Sequence, residues 1–167
     1  MARLWVGIWP PEWVVERLSE LHRKDQVGAR FVPPENWHVT LRFLGDADPS
    51  AVDVALRSSD LRAASVRLGP AVDLLGEKML MLPAAGVDEL AASVVGATLA
   101  LGTDPVRRRF VGHLTLARLK RRANMPRVLG ELFTAEWDVD SVALVESTLR
   151  SDGVRYATLA EYALSSE

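Results

Sequence analysis

The chain has 167 residues, no cysteine, and 20 Lys and Arg against 22 Asp and Glu, for a formal net charge of −2. That length suits one domain spanning residues 1–167 and lets the fold bury roughly two thirds of the surface of the unfolded chain. The lack of cysteine excludes a disulfide framework and a thiolate zinc site, and no apolar run approaches the ~20 residues of a membrane span.

Residues 3–9 read as a buried strand. They carry a single positive charge and stop at Pro10-Pro11, too short for a secretory signal, so a cytoplasmic protein away from membranes is expected. Pro10-Pro11-Glu12 opens a helix expected to run to about Lys24, with Trp13, Val14, Arg17, Leu18 and Leu21 spaced for one packed face. Arg30 to Val32 reads as a short strand, and Pro33-Pro34-Glu35-Asn36 turns the chain into a strand over Trp37 to Leu44. Ser50 is the expected N-cap of a helix over Ala51 to Leu61. Two strands, Val66 to Leu75 and Lys78 to Leu82, follow around a turn at Gly76-Glu77. The second half repeats that order, with a helix over Val87 to Leu101, a strand over Phe110 to Leu119 and a short helix over Pro126 to Phe133. Strands Trp137 to Leu149 and Val154 to Leu164 close the chain around Ser151-Asp152-Gly153, although the alternation after Trp137 is imperfect.

Within this order one pattern occurs twice. His38-Val39-Thr40-Leu41 and His113-Leu114-Thr115-Leu116 lie 75 positions apart. Strand side chains alternate, so each His shares a face with its Thr while Val39, Leu41, Leu114 and Leu116 point into a core. Two such strands side by side would bring two imidazoles and two hydroxyls onto one small anion, for which phosphate is suited. A neutral imidazole can take a proton from attacking water while a protonated one gives a proton to a departing oxygen, and hydroxyls can hold the non-bridging oxygens where charge builds up. This scheme needs neither metal nor cofactor.

Arg42, two positions beyond Thr40, falls on the His38 face of a regular strand and is a candidate phosphate ligand. Arg118 is the second candidate; in a regular strand it faces away from His113, and only a bulge or strand end re-aims it. Between Leu101 and Gly130 eight basic residues (Arg107, Arg108, Arg109, Arg118, Lys120, Arg121, Arg122, Arg127) stand against one acid, Asp104, a local field that would attract a polyanion or serve as a solvated face. His22 has no partner pattern and reads as a solvated residue late in the first helix. Of the five tryptophans, Trp5, Trp9, Trp13, Trp37 and Trp137, most are expected in the core, with a stacking surface for a base as the alternative.

His38-Val39-Thr40-Leu41-Arg42-Phe43-Leu44-Gly45 and His113-Leu114-Thr115-Leu116-Ala117-Arg118 resemble the paired signatures of the 2H phosphoesterase superfamily, and most closely its RNA 2′,3′-cyclic phosphodiesterase (2′-5′ RNA ligase-like) branch. Arg3 to Pro11 resembles that branch's opening strand, Val32 to His38 its approach to the first motif, and Asp152 to Tyr156 its closing hairpin. The resemblance implies an α+β fold of two pseudo-symmetric lobes, each an antiparallel sheet with helices, with an active-site groove between them. It also implies hydrolysis of an RNA 2′,3′-cyclic phosphate to a 2′-phosphate; a monomer without a cofactor is expected. By motif position His38 would be proton donor to the leaving 3′ oxygen, His113 the proton acceptor that activates water, and Thr40 and Thr115 the phosphate holders. The chain departs from the pattern at Gly112, where family members usually carry proline.

Three rivals stand beside this reading. A 2′-5′-linked oligonucleotide, cleaved or ligated, or a small cyclic nucleotide could be the substrate. A non-catalytic RNA-end binding module would not require two titrating imidazoles. A mononuclear metal hydrolase would need a carboxylate to complete a ligand set, and no His-x-His or His-x-x-x-His spacing is present.

Overall fold

The computed structural model describes residues 1–24, 26–105 and 109–166. Its strands are β1 (Ala2–Ile8), β2 (Ala29–Phe31), β3 (Val39–Ala47), β4 (Ala64–Leu68), β5 (Asp73–Leu75), β6 (Met79–Ala85), β7 (His113–Leu119), β8 (Ala135–Val139), β9 (Ser141–Arg150) and β10 (Gly153–Ala163). Helices α1 (Glu12–Leu18), α2 (Pro49–Arg57) and α3 (Asp88–Ala97) complete the regular structure. All strand pairings are antiparallel, in the order β10-β9-β1-β3-β7-β6-β4-β8, with β2 added to β7 and β5 to β6.

That order divides into two halves of four strands that meet at β3 and β7. The two motif strands pair at Val39 and Leu114 and then diverge. β2 fills the space beside the far end of β7, as Thr103 does beside β3 by donating its N–H to Leu44 O at 2.8 Å. Val39, Leu41, Leu114 and Leu116 are all buried, in one apolar cluster that includes Val14, Leu18, Val52, Leu56, Leu90 and Val94 from the three helices. Each fully buried aliphatic side chain of this kind contributes roughly 1.5–3 kcal/mol, so the inward face of the motif strands is bound firmly to the helices and the His/Thr face is left open. No helix among the described residues is long and apolar enough to cross a membrane.

Several expected boundaries move. α1 ends at Leu18 because Ser19 bonds back to Val15 O through both its N–H and its hydroxyl, and tighter turns follow at Glu20 and Leu21. α2 is capped by Asp48, whose carboxylate accepts from Ser50 N at 3.1 Å, so Ser50 lies inside the helix. The expected strand over Val66 to Leu75 breaks at Gly69-Pro70 into β4 and β5; proline cannot donate to a ladder. The expected helix over Pro126 to Phe133 is absent, its backbone being spent on Val72, which donates to Glu131 O and accepts from Gly130 N. Trp137 to Leu149 divides at Asp140 into β8 and β9, which lie in opposite halves of the sheet. The helix expected over Val87 to Leu101 is shortened to α3, for a reason that involves Arg42.

Candidate active site

The antiparallel pairing of Val39 with Leu114 fixes what lies beside what. Extended one residue to each side, that register sets Thr40 across from His113 and His38 across from Thr115, and the charge of His113 reaches His38. Each histidine is therefore aligned across the two strands with the threonine of the other motif.

The two histidines are held alike. His38 Nδ1 lies 2.7 Å from Asn36 O and His113 Nδ1 lies 2.8 Å from Val111 O, in each case the carbonyl two residues earlier. A carbonyl only accepts, so Nδ1 carries the hydrogen and Nε2 is the nitrogen free to exchange a proton with a ligand. Asn36 is itself tied to the closing hairpin, its Nδ2 donating to Val154 O at 3.3 Å.

Their surroundings differ. The His38 ring stacks on Trp5, with centroids 4.0 Å apart and planes at 23°, and meets Trp9 and Tyr156 edge-on at 5.8 and 5.3 Å. Gly7 makes this possible, because a Cβ there would lie 2.6 Å from the Trp5 ring and 2.5 Å from Val39 O. Burial holds the His38 imidazole down from the usual 6.5 to about 4; its bond to Asn36 opposes the shift, and the positive charges of His113 and Arg118 reinforce it. At pH 7 His38 is thus neutral, and a negative charge beside it would favour its protonated form. The His113 bond to Val111 is solvent-exposed.

Thr115 Oγ1 donates to Met79 Sδ at 3.2 Å, a weak acceptor that a phosphate oxygen can displace. Among the described residues no three His, Cys, Asp or Glu side chains converge as metal ligands.

The structure turns Arg42 away from the site and Arg118 toward it, and for one reason. Immediately after its threonine each motif strand carries a bulge: β1 pairs Gly7 with Thr40 and Val6 with Arg42, passing over Leu41, and β6 pairs Met81 with Thr115 and Leu80 with Ala117, passing over Leu116. An extra residue inverts the alternation beyond it. Arg42 accordingly turns into the core, 4% exposed, as does its counterpart Ala117. Its guanidinium donates to Thr98 O, to Thr98 Oγ1 at 2.7 Å, to Leu101 O at 2.8 Å and to Thr103 O at 3.0 Å. It thereby caps the C-terminal end of α3, where helix carbonyls lack intrahelical donors, and the chain past Ala97 folds around it. Arg42 is therefore a structural cap in the core and not the phosphate ligand expected of it. Arg118 turns the other way, onto the His113 face, and its charge is felt by both His38 and Tyr156.

The family model for LigT-like phosphoesterases matches residues 8–68 and 81–156. The chain belongs to this family. It is 33% identical, over 99% of its length and 91% of the relative's, to the RNA 2′,3′-cyclic phosphodiesterase of Thermus thermophilus, and 29% identical, over 89% and 95%, to that of Aeropyrum pernix. Among solved structures it is similar in fold to a phosphoesterase (TM-score 0.80, 23% identity, 98% of both chains) and to Escherichia coli LigT complexed with 3′-AMP (TM-score 0.77, 24% identity, 98% of both chains).

As a LigT-like phosphoesterase, the chain has room at position 112 for glycine alone. An added Cβ would lie 2.3 Å from Ala84 O, on the residue whose N–H bonds Gly112 O at 2.9 Å. The lack of a side chain at Gly112 thus lets β6 approach this closely.

Sequence reasoning missed the aromatic wall formed by Trp5, Trp9 and Tyr156 around His38. Trp37 is the core residue expected, at 1% exposure, whereas Trp5 is buried on the groove face with Ala143 and Val145. The available signal is the spacing of Trp5 and Gly7 in β1 with Trp9 just beyond its end. Of the basic segment, Arg118, Lys120, Arg121, Arg122 and Arg127 are exposed, and Arg107 and Arg108 lie outside the described residues; His22 is exposed, as expected.

Proposed function

We propose that this protein hydrolyses RNA 2′,3′-cyclic phosphodiester ends to 2′-phosphomonoesters by paired histidine acid-base catalysis, without a metal ion. The observation that supports the reading is the pairing of the two motif strands at Val39 and Leu114, together with the backbone carbonyl that occupies Nδ1 of each histidine and leaves Nε2 for proton exchange. The names of the Thermus and Aeropyrum relatives support the substrate class.

In this mechanism the cyclic phosphate lies between the two imidazoles, and Thr40 and Thr115 donate to its non-bridging oxygens as charge accumulates there. Water attacks phosphorus on the more open side; His113 Nε2 takes the water's proton while the new P–O bond forms. The bond to the ribose 3′ oxygen breaks, and His38 Nε2 delivers a proton to that oxygen. The products are a 2′-phosphate and a free 3′-hydroxyl, with the proton on His113 returned to solvent. An imidazole whose pKa is depressed is a strong acid once protonated, and the substrate's negative charge supplies the reason for it to be protonated.

Incubation of a cyclic-phosphate-ended RNA with and without EDTA, with the product identified by ³¹P NMR, tests this. Equal rates and a 2′-phosphate are expected. Loss of activity in EDTA that a divalent ion restores, or a 3′-phosphate product, would overturn the mechanism.

A further inference from the structure

Arg30, in the short strand β2, pairs directly with Arg118 of β7. Their strand neighbours Ala29, Ala117 and Leu119 are buried, so the two guanidinium side chains stand together on the opposite, exposed face. That face is the groove face, because Arg118 also pairs with Met79 on β6, whose sulfur accepts the Thr115 hydroxyl. Like charges directly opposed on neighbouring strands are destabilising. No carboxylate among the described residues forms an ion pair with either arginine. A row of two opposed arginines left open at the edge of a phosphate site is complementary to a second anion.

The spacing specifies which one. From Thr115 to Arg118 the bulged strand advances about two regular steps, ~7 Å, the scale of the interval between successive phosphates along an RNA strand. We propose that Arg30 and Arg118 form a second phosphate subsite, which takes the phosphodiester immediately 5′ to the cyclic phosphate. This rests on the catalytic reading above and deepens it: the preferred substrate is an oligonucleotide end, not a free cyclic mononucleotide. Two planar guanidinium forks can hold one phosphodiester through several charge-assisted hydrogen bonds, and the bound charge removes their mutual repulsion. Lys120, next on the same face after buried Leu119 and held by its N–H to Gly28 O at 2.7 Å, continues the path for further phosphates.

The test uses two dinucleotides ending in a 2′,3′-cyclic phosphate, identical except that one carries a natural phosphodiester and the other a neutral methylphosphonate linkage. For the wild type, kcat/KM is expected to be roughly ten- to hundred-fold higher with the charged linkage. Arg30→Gln, a change at an exposed position, should reduce that ratio to within about two-fold of unity, and Arg30→Lys should keep part of it. Equal rates for the two linkages in the wild type, or a ratio that survives in Arg30→Gln, would overturn the subsite. If the wild type hydrolyses neither dinucleotide, the catalytic reading fails, and calorimetric binding of the same pair decides the subsite by itself. A preference for the charged linkage that Arg30→Gln abolishes supports it; equal affinities reject it.

Discussion

The His38 imidazole lies flat against the Trp5 indole, 4.0 Å between ring centroids, while its Nδ1 is tied to Asn36 O. Stacking fixes the plane of the ring and the carbonyl fixes its rotation within that plane, so Nε2 has one direction in which to point. The same contact excludes water from one face of the ring and is part of the burial that disfavours the charged form.

The two histidines should separate by leaving group. His38→Ala and His113→Ala are each expected to lower kcat on a ribose 2′,3′-cyclic phosphate by about 10²–10⁴-fold with small effects on binding. Replacing the 3′ oxygen by sulfur makes a leaving group that needs no proton. With it, His38→Ala should recover most of its lost rate and His113→Ala should not. The opposite pattern would exchange the donor and acceptor roles.

Acid should weaken the fold through His38. Its pKa is about 4 when folded against 6.5 unfolded, so the unfolded chain binds the proton more readily and stability falls as pH drops from about 6.5 to 4. Urea midpoints for wild type and His38→Asn at pH 7 and pH 4.5 measure this. The wild type should lose more between the two pH values than the variant; identical losses would show that the imidazole is not held neutral by its surroundings.

Removing the Arg42 guanidinium strips donors from the carbonyls of Thr98, Leu101 and Thr103 in a buried setting. Arg42→Met is expected to cost about 3–5 kcal/mol in urea denaturation. A loss below about 1 kcal/mol, in the range of an exposed ion pair, would mean that the cap does not hold this segment.

Neutralising Lys120, Arg121 and Arg122 together should weaken binding of a long cyclic-phosphate RNA and flatten its salt dependence, with far less effect on a cyclic mononucleotide. A salt series on both substrates measures it. An unchanged slope for the long RNA would identify these charges as solvated surface.

What could be read in the sequence ends where the alternation does. His38/Thr40 and His113/Thr115 obey period two, and that is why the quartet was legible. One residue further, at Leu41 and Leu116, the strands bulge, and the cause lies in how β1 and β6 pair with them, which no local pattern records. Arg42 and Arg118 exchanged faces for that reason. Arg30 was invisible as a partner because its significance comes from the strand opposite. The division of Val66 to Leu75 had a visible sign in Gly69-Pro70, and the imperfect alternation after Trp137 marked the break at Asp140. The turns over 126–133 had none, since they depend on Val72 for their hydrogen bonds.

The matched bulges also give the groove a direction. Each presents the residue two places after its skipped leucine to the open face: Phe43 in one half, beside Trp5, and Arg118 in the other, beside Arg30. A frame with near two-fold repetition would accept a ligand equally well in either sense. With an aromatic bank on one side and a cationic bank on the other, an RNA end has one favourable sense of entry, its charged backbone running out over β7 and β2. In the scheme proposed here, then, what distinguishes the two histidines is the polarity of the strand they receive.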